Sequence, residues 1–181
     1  LRLKTIPIHI ECFDNSNIQG SLPTSSCVVF KNGLPSKKDY RIFKIKTITK
    51  ADDFASMREV VFRRYKRVLD EKGDLPDLIV IDGGKGQLSS AKESLKRLGL
   101  SGKIAIIGIA KKLESIYFPN DKIPLFIDKK SPSLKLIQTI RNEAHRFAIN
   151  YHKKRRLKST LSSALTDIDG IGEKTAELLI R

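Results

Sequence analysis

Two aspartates follow strand-like apolar runs, Asp14 after IHIECF and Asp82 after LIVI. A charged side chain at the end of a buried strand is costly unless it is paired or binds a cation. If the two strands are neighbours, the carboxylates come close together and repel. A divalent metal lets both stay ionised at neutral pH. Oxygen ligation selects Mg²⁺ or Mn²⁺ over Zn²⁺. The plain alternative is that either aspartate only caps the turn after it.

A second group of candidates lies further along the chain. Arg141 and His145 are four residues apart on a helical pattern, with Glu143 and Arg146 beside them. They share a stripe that flanks the apolar face formed by Ile137, Ile140, Ala144, Phe147 and Tyr151. Such a stripe suits a cleft that receives phosphates. His9 and His152 read as structural. GGKGQ at 83–87 departs from a Walker loop, because Lys85 is followed by Gly86 where GxxxxGK[ST] needs Ser or Thr. ATP hydrolysis is therefore a poor reading. Backbone N–H groups at the helix start, together with Lys85, can still meet a phosphate.

The elements that must position these residues can be read from period and punctuation. Ile6–Phe13, Ser25–Lys31 and Tyr40–Ile45 read as strands joined by short connections, so a largely antiparallel meander is expected. Phe54, Met57, Val61, Tyr65 and Val68 mark one face of a helix, with Asp52 and Asp53 at its capping end. Leu78–Ile81 and Lys103–Ala110 read as buried strands on either side of a helix from about Gln87 to Leu98, closed by Gly99. That pattern implies a right-handed parallel crossover. Ile116–Ile127 reads as a hairpin or loop excursion. SPS at 131–133 opens a long helix through about Lys154, with Ser131 as N-cap. The fold expected is α/β, with five strands in a mixed sheet flanked by helices. Residues 159–181 differ in character, and IDGIGEKTAELLI with Gly170 and Gly172 in its turn fits the hairpin of a helix–hairpin–helix.

Composition narrows the function classes. The 181 residues carry 35 Lys+Arg against 20 Asp+Glu, a formal net charge of +15. A polyanion is the natural partner, nucleic acid first. Two basic clusters, RRYKR at 63–67 and KKRRLK at 153–158, read as phosphate contacts. An apolar fraction of 40% excludes a disordered chain. No apolar run reaches the roughly 18 residues a membrane helix needs, and no signal peptide is recognisable at the start. Cys12 and Cys27 lack metal-ligand spacing and read as reduced core thiols. The chain begins without Met and stops at Arg181 inside a helical pattern, so a longer parent protein is expected.

Five motifs, in order along nearly the whole chain, resemble the C-terminal half of UvrC, the incision subunit of the bacterial nucleotide excision repair nuclease. They are ECFDNSN at 11–17, YRIFKI at 40–45, DDFASM at 52–57, IDGGKGQL at 81–88 and RNEAHRFA at 141–148. The resemblance implies a ribonuclease H-like endonuclease domain over 1–157 and an incomplete helix–hairpin–helix over 158–181. It implies metal-dependent cutting of damaged double-stranded DNA on the 5′ side of a lesion, UvrB as partner with UvrA upstream, and a bacterial cytoplasmic location. The family's two catalytic aspartates fall on Asp14 and Asp82 and its histidine on His145, while Asp53 matches an aspartate associated with incision. The family often reads Asp-Ile-Ser-His where this chain has Asp14, Asn15, Ser16 and Asn17.

In the resulting hypothesis Asp14 and Asp82 hold Mg²⁺ or Mn²⁺. His145 completes the metal shell or transfers a proton. Lys85, Arg141 and Arg146 position phosphates without reading bases, and Gly170 and Gly172 offer backbone contacts to DNA. Two rivals are a basic docking module without chemistry and a ribonuclease H-like resolvase acting on branched DNA.

Overall fold

The structure, a computed structural model, describes residues 3, 5–16, 23–46, 52–110 and 114–180. Asn17 lies outside them. The elements are β1 (His9–Ser16), β2 (Thr24–Lys31), β3 (Leu34–Pro35), β4 (Arg41–Lys44), α1 (Asp53–Asp70), β5 (Leu78–Asp82), α2 (Lys85–Arg97), β6 (Ala105–Ala110), β7 (Ser115–Tyr117), α3 (Pro132–Thr166) and α4 (Glu173–Leu179).

One mixed sheet carries all seven strands in the order β3-β2-β1-β5-β6-β7, with β4 pairing β2. β1, β2 and β4 form the expected antiparallel meander. β5 lies parallel to both β1 and β6, as a strand–helix–strand crossover requires. The sheet has two strands more than the five expected. Asn32 and Gly33 both take positive φ and turn the chain back into the two-residue β3. The excursion after β6 returns as the three-residue β7. Strands this short leave no alternating pattern to read.

Side chains alternate between the two faces with the pleat, and both faces of the central strands are buried. Ile10, Cys12 and Asp14 share the face covered by α3, where Ser26, the cross-strand partner of Asp14, donates to the Ala144 carbonyl at 3.0 Å. Glu11 and Phe13 share the opposite face, where the Tyr65 ring of α1 lies 6.1 Å from that of Phe13. Asp52 caps α1 as expected, its carboxylate accepting from the Phe54 and Ala55 N–H groups at 2.9 and 3.0 Å. Ser131 holds the N-cap position of α3 without a side-chain cap bond. α3 runs twelve residues past Lys154, because neither Gly nor Pro interrupts the sequence between Ser133 and Gly170. Its buried stripe is Leu134, Ile137, Ile140, Ala144, Ala148 and His152. The stripe thus turns onto Ala148 and His152, and Phe147 flanks it against Tyr40. His152 is structural, hydrogen-bonded to Thr24 at 2.8 Å. Burial, with Arg155 and Arg156 nearby, holds its pKa below the usual imidazole value.

The sequence reading missed one strong interaction. Glu11 is fully buried in β1, where its carboxylate meets the guanidinium of Arg64, accepts from the Tyr65 hydroxyl at 2.9 Å and lies 3.4 Å from His9. This ion pair ties α1 to the sheet. It also takes Arg64 out of the 63–67 cluster read as phosphate contacts. Arg64 is committed to Glu11, while Arg63, Lys66 and Arg67 each pair with an acid four residues away. Cys12 and Cys27 are free and buried, as expected.

Burial alone would raise the Glu11 pKa, but hydrogen bonds from His9, Arg64 and Tyr65 and the Arg64 charge take it down from 4.5 to about 2. A depressed folded-state pKa gives stability that is complete above the unfolded value and lost as pH falls through the folded one. Unfolding midpoints should therefore decline between pH values of about 4.5 and 2. Arg64→Ala leaves the carboxylate without its counter-charge and should cost about 3–5 kcal/mol in denaturant unfolding. A loss below about 1 kcal/mol would show that the pair is not a structural anchor.

Candidate metal centre

The register of β1 against β5 sets the geometry of the site. Phe13 pairs with Ile81 in the parallel ladder, so the next residues along, Asp14 and Asp82, are neighbours on one face. Asp14 lies inside β1, two residues before its end, rather than just beyond the strand as the sequence suggested. Asp82 is the last residue of β5. They are 2% and 5% exposed. α3 crosses this face and carries His145, whose Nδ1 lies 3.1 Å from Asp14 Oδ2. One ligand atom from each of Asp14, Asp82 and His145 falls within a sphere of contacts no longer than 4.8 Å.

Two carboxylates and an imidazole at this spacing fit a divalent cation. The carboxylates suit Mg²⁺ or Mn²⁺ equally, and the imidazole favours Mn²⁺ as the softer of the two. At 4.8 Å, two like charges repel by about 3 kcal/mol at an effective dielectric near 20. A bound cation turns that repulsion into attraction. Burial pushes the Cys12 thiol well up, and the Asp82 and Asp14 carboxylates push it further. That thiol is therefore protonated and inert as a nucleophile.

The supporting shell is tight. The Gly83 N–H donates to the Ile109 carbonyl at 3.0 Å, holding the turn after Asp82 against β6. Gly108 makes room for that turn: a Cβ there would lie 2.9 Å from the Gly83 carbonyl oxygen. On the other side, Asn15 accepts from the Ser25 hydroxyl and donates to the Asp53 carbonyl at 2.8 Å. The residue after Asp14 is thereby bonded to the first turn of α1.

A family model, the UvrC RNAse H endonuclease domain, matches residues 1–149. The chain belongs to that family. The UvrABC system protein C of Christiangramia forsetii is 64% identical over 180 residues, which is 99% of this chain and 30% of that protein. That of Flavobacterium johnsoniae is 63% identical over 181 residues, or 100% of this chain and again 30% of the relative. The chain thus spans about a third of the length of the curated relatives it matches. Among solved structures, Ciona intestinalis Endonuclease V in complex with an inosine-containing DNA overlaps 78% of this chain and 58% of its own, at 18% identity and a TM-score of 0.44.

Of the residues the UvrC resemblance singled out, the fold brings Asp14, Asp82 and His145 together. Asp53 is exposed at the first turn of α1, linked to the site through its carbonyl and outside the three-residue cluster. Lys85 opens α2 and is exposed. Arg146 is exposed and double-bonded to Glu143 at 2.6 and 2.7 Å. Gly170, at a φ of 89°, and Gly172 lie in the turn between α3 and α4. The run at 153–158 is exposed throughout. Sequence reasoning missed Glu114, which meets Arg141 from the β6–β7 connection. Nothing in its sequence context marks it. It also missed Gly108, which sits inside an apolar strand where a glycine signals close backbone approach.

Gly108→Ala should force the Gly83 carbonyl outward and disturb the turn that follows Asp82. A destabilisation of about 1–3 kcal/mol is expected in chemical unfolding. A neutral result would mean that the turn is free to move.

Proposed function

We propose that this chain is the divalent-cation-dependent DNA-cutting domain of a nucleotide excision repair nuclease, making the incision on the 5′ side of a lesion. The observation that carries the reading is the convergence of Asp14, Asp82 and His145 within 4.8 Å on a strongly cationic chain. Membership of the UvrC endonuclease family supports it.

Asp14 and Asp82 hold the cation, Mg²⁺ or Mn²⁺, which when bound supplies Lewis acidity toward the phosphate and neutralises charge that develops on it. His145 faces Asp14 through Nδ1, and its side chain is half exposed. That leaves Nε2 as the atom to take up or release a proton at the open side of the site. Lys85, Arg141 and Arg146 contact phosphates, and Asp53 supports the site from α1. The exposed basic run at 153–158 tracks the DNA backbone, and the turn with Gly170 and Gly172 adds backbone N–H contacts from the proposed 158–181 segment. α3 passes unbroken through residues 157 and 158, so the first part of that segment, as far as Thr166, continues the same helix, and the turn and α4 follow it. Damaged duplex DNA is the substrate, with UvrB as partner, UvrA upstream and the bacterial cytoplasm as the location. Among the described residues no helix is long and apolar enough to cross a membrane.

The metal-pair reading separates from a docking module by calorimetry. The unsubstituted chain should take up Mn²⁺, and Asp14→Asn and Asp82→Asn should abolish the uptake while duplex binding persists. In a reconstituted excision reaction the same variants should lose at least about 100-fold in incision rate. Near-normal incision by either variant removes the assignment, and absence of Mn²⁺ uptake by the unsubstituted chain favours the docking module.

A further inference from the structure

Arg141 differs from the other two cations proposed to meet phosphate. Lys85 is exposed, and the guanidinium of exposed Arg146 is already taken by Glu143. The Arg141 side chain is only 13% exposed, and its Nη1 is buried with no hydrogen-bond partner among the described residues. A buried guanidinium N–H without an acceptor is an expensive arrangement that native structures rarely keep. The rest of the group is occupied. Nε and Nη2 donate to the Asn142 side-chain oxygen at 3.2 and 3.0 Å, and Nη2 also lies 3.4 Å from Glu114 Oε1. Glu114 is itself held by the Gln138 amide.

The location adds to this. Glu114 sits between β6 and β7, so it lies at the end of β6 toward which β5 also points its last residue, Asp82. Arg141 stands one helical turn before His145. The guanidinium is therefore fixed over the same sheet edge as the carboxylate pair, with one donor unused.

We propose that Arg141 is the phosphate-recognition residue of this centre, its side chain turning from the exposed Asn142 so that the enclosed Nη1–H meets a non-bridging oxygen of the DNA phosphodiester brought against Asp14 and Asp82. The inference rests on the nuclease reading given above. A planar fork that keeps Glu114 on one edge as it leaves Asn142 can turn the other edge to a tetrahedral oxyanion, a role a lysine point charge does not reproduce.

The test uses Arg141→Lys and Arg141→Gln with three readouts. Calorimetric Mn²⁺ uptake should be unchanged in both variants, since neither touches a ligand. The salt slope of duplex binding, followed by fluorescence anisotropy, should drop by about 1 for Arg141→Gln and be kept by Arg141→Lys. In reconstituted excision, kcat should fall about 100-fold in both variants with KM changed less than about threefold. Wild-type kcat in Arg141→Lys overturns the fork-specific role. Loss of Mn²⁺ uptake in both variants overturns it too, because Arg141 then shapes the centre and does not read phosphate. If the unsubstituted chain itself shows no carboxylate-dependent Mn²⁺ uptake, the nuclease reading fails first and is distinguished by that control.

Discussion

In the parallel ladder between β1 and β5, Phe13 lies opposite Ile81, and one step further the chain sets two carboxylates side by side on a covered face. Burial raises the energy of each charge, and proximity adds mutual repulsion. The surrounding fold holds this arrangement fixed. The Ser26 hydroxyl bonds the Ala144 carbonyl and seats α3 across the strands, which delivers His145 to Asp14. The absence of a side chain at Gly108 lets the turn after Asp82 lie close to β6. The Asn15 amide bonds the first turn of α1 to the residue next to Asp14. These contacts keep the carboxylates from separating to relieve their repulsion, and that rigidity is what suits the pair to a divalent cation.

The two faces of β1 carry buried acids with opposite fates. Glu11, on the α1 face, is neutralised internally by Arg64 and bonded by Tyr65, which makes it part of the scaffold. Asp14, on the α3 face, is met by the half-exposed imidazole of His145. The same strand therefore anchors the fold through one carboxylate and presents the other to Asp82 and His145. Much of the positive charge on α1 is likewise matched locally by acids four residues away. The basic run at 153–158 stands exposed on the distal part of α3, away from the apolar packing that holds the proximal part to the sheet. The exposed basic run and the histidine of the candidate centre thus lie on different stretches of one helix.

The sequence made the site more legible than its surroundings. Asp14 and Asp82 stood out because a carboxylate next to an apolar strand is chemically conspicuous, whereas the adjacency of their strands was only a condition there and comes from the parallel pairing of β1 with β5. The cap at Asp52 and the closing Gly99 followed from local chemistry and were found where expected. What sequence could not display were pairings decided by tertiary contact. A basic cluster looks the same whether it faces DNA or, like Arg64, turns inward to a buried glutamate. The two-residue β3 and three-residue β7 exist through their neighbours and carry no periodic signal of their own. α3 exceeds its expected length: beyond Lys154 it keeps only a thin apolar line of Leu157, Leu161 and Leu165, the first two exposed, and no Gly or Pro interrupts it. The preference for Ala148 and His152 over Phe147 and Tyr151 on its buried stripe reflects how closely the helix approaches β2, where small side chains and the Thr24 hydroxyl decide the fit.

Crystals grown with Mn²⁺ and measured at the manganese absorption edge address the pair of carboxylates directly. An anomalous peak within about 2.0–2.4 Å of an oxygen from each of Asp14 and Asp82 is the predicted result. A peak bound elsewhere, or an empty centre in crystals that hold Mn²⁺ at other positions, would contradict the account.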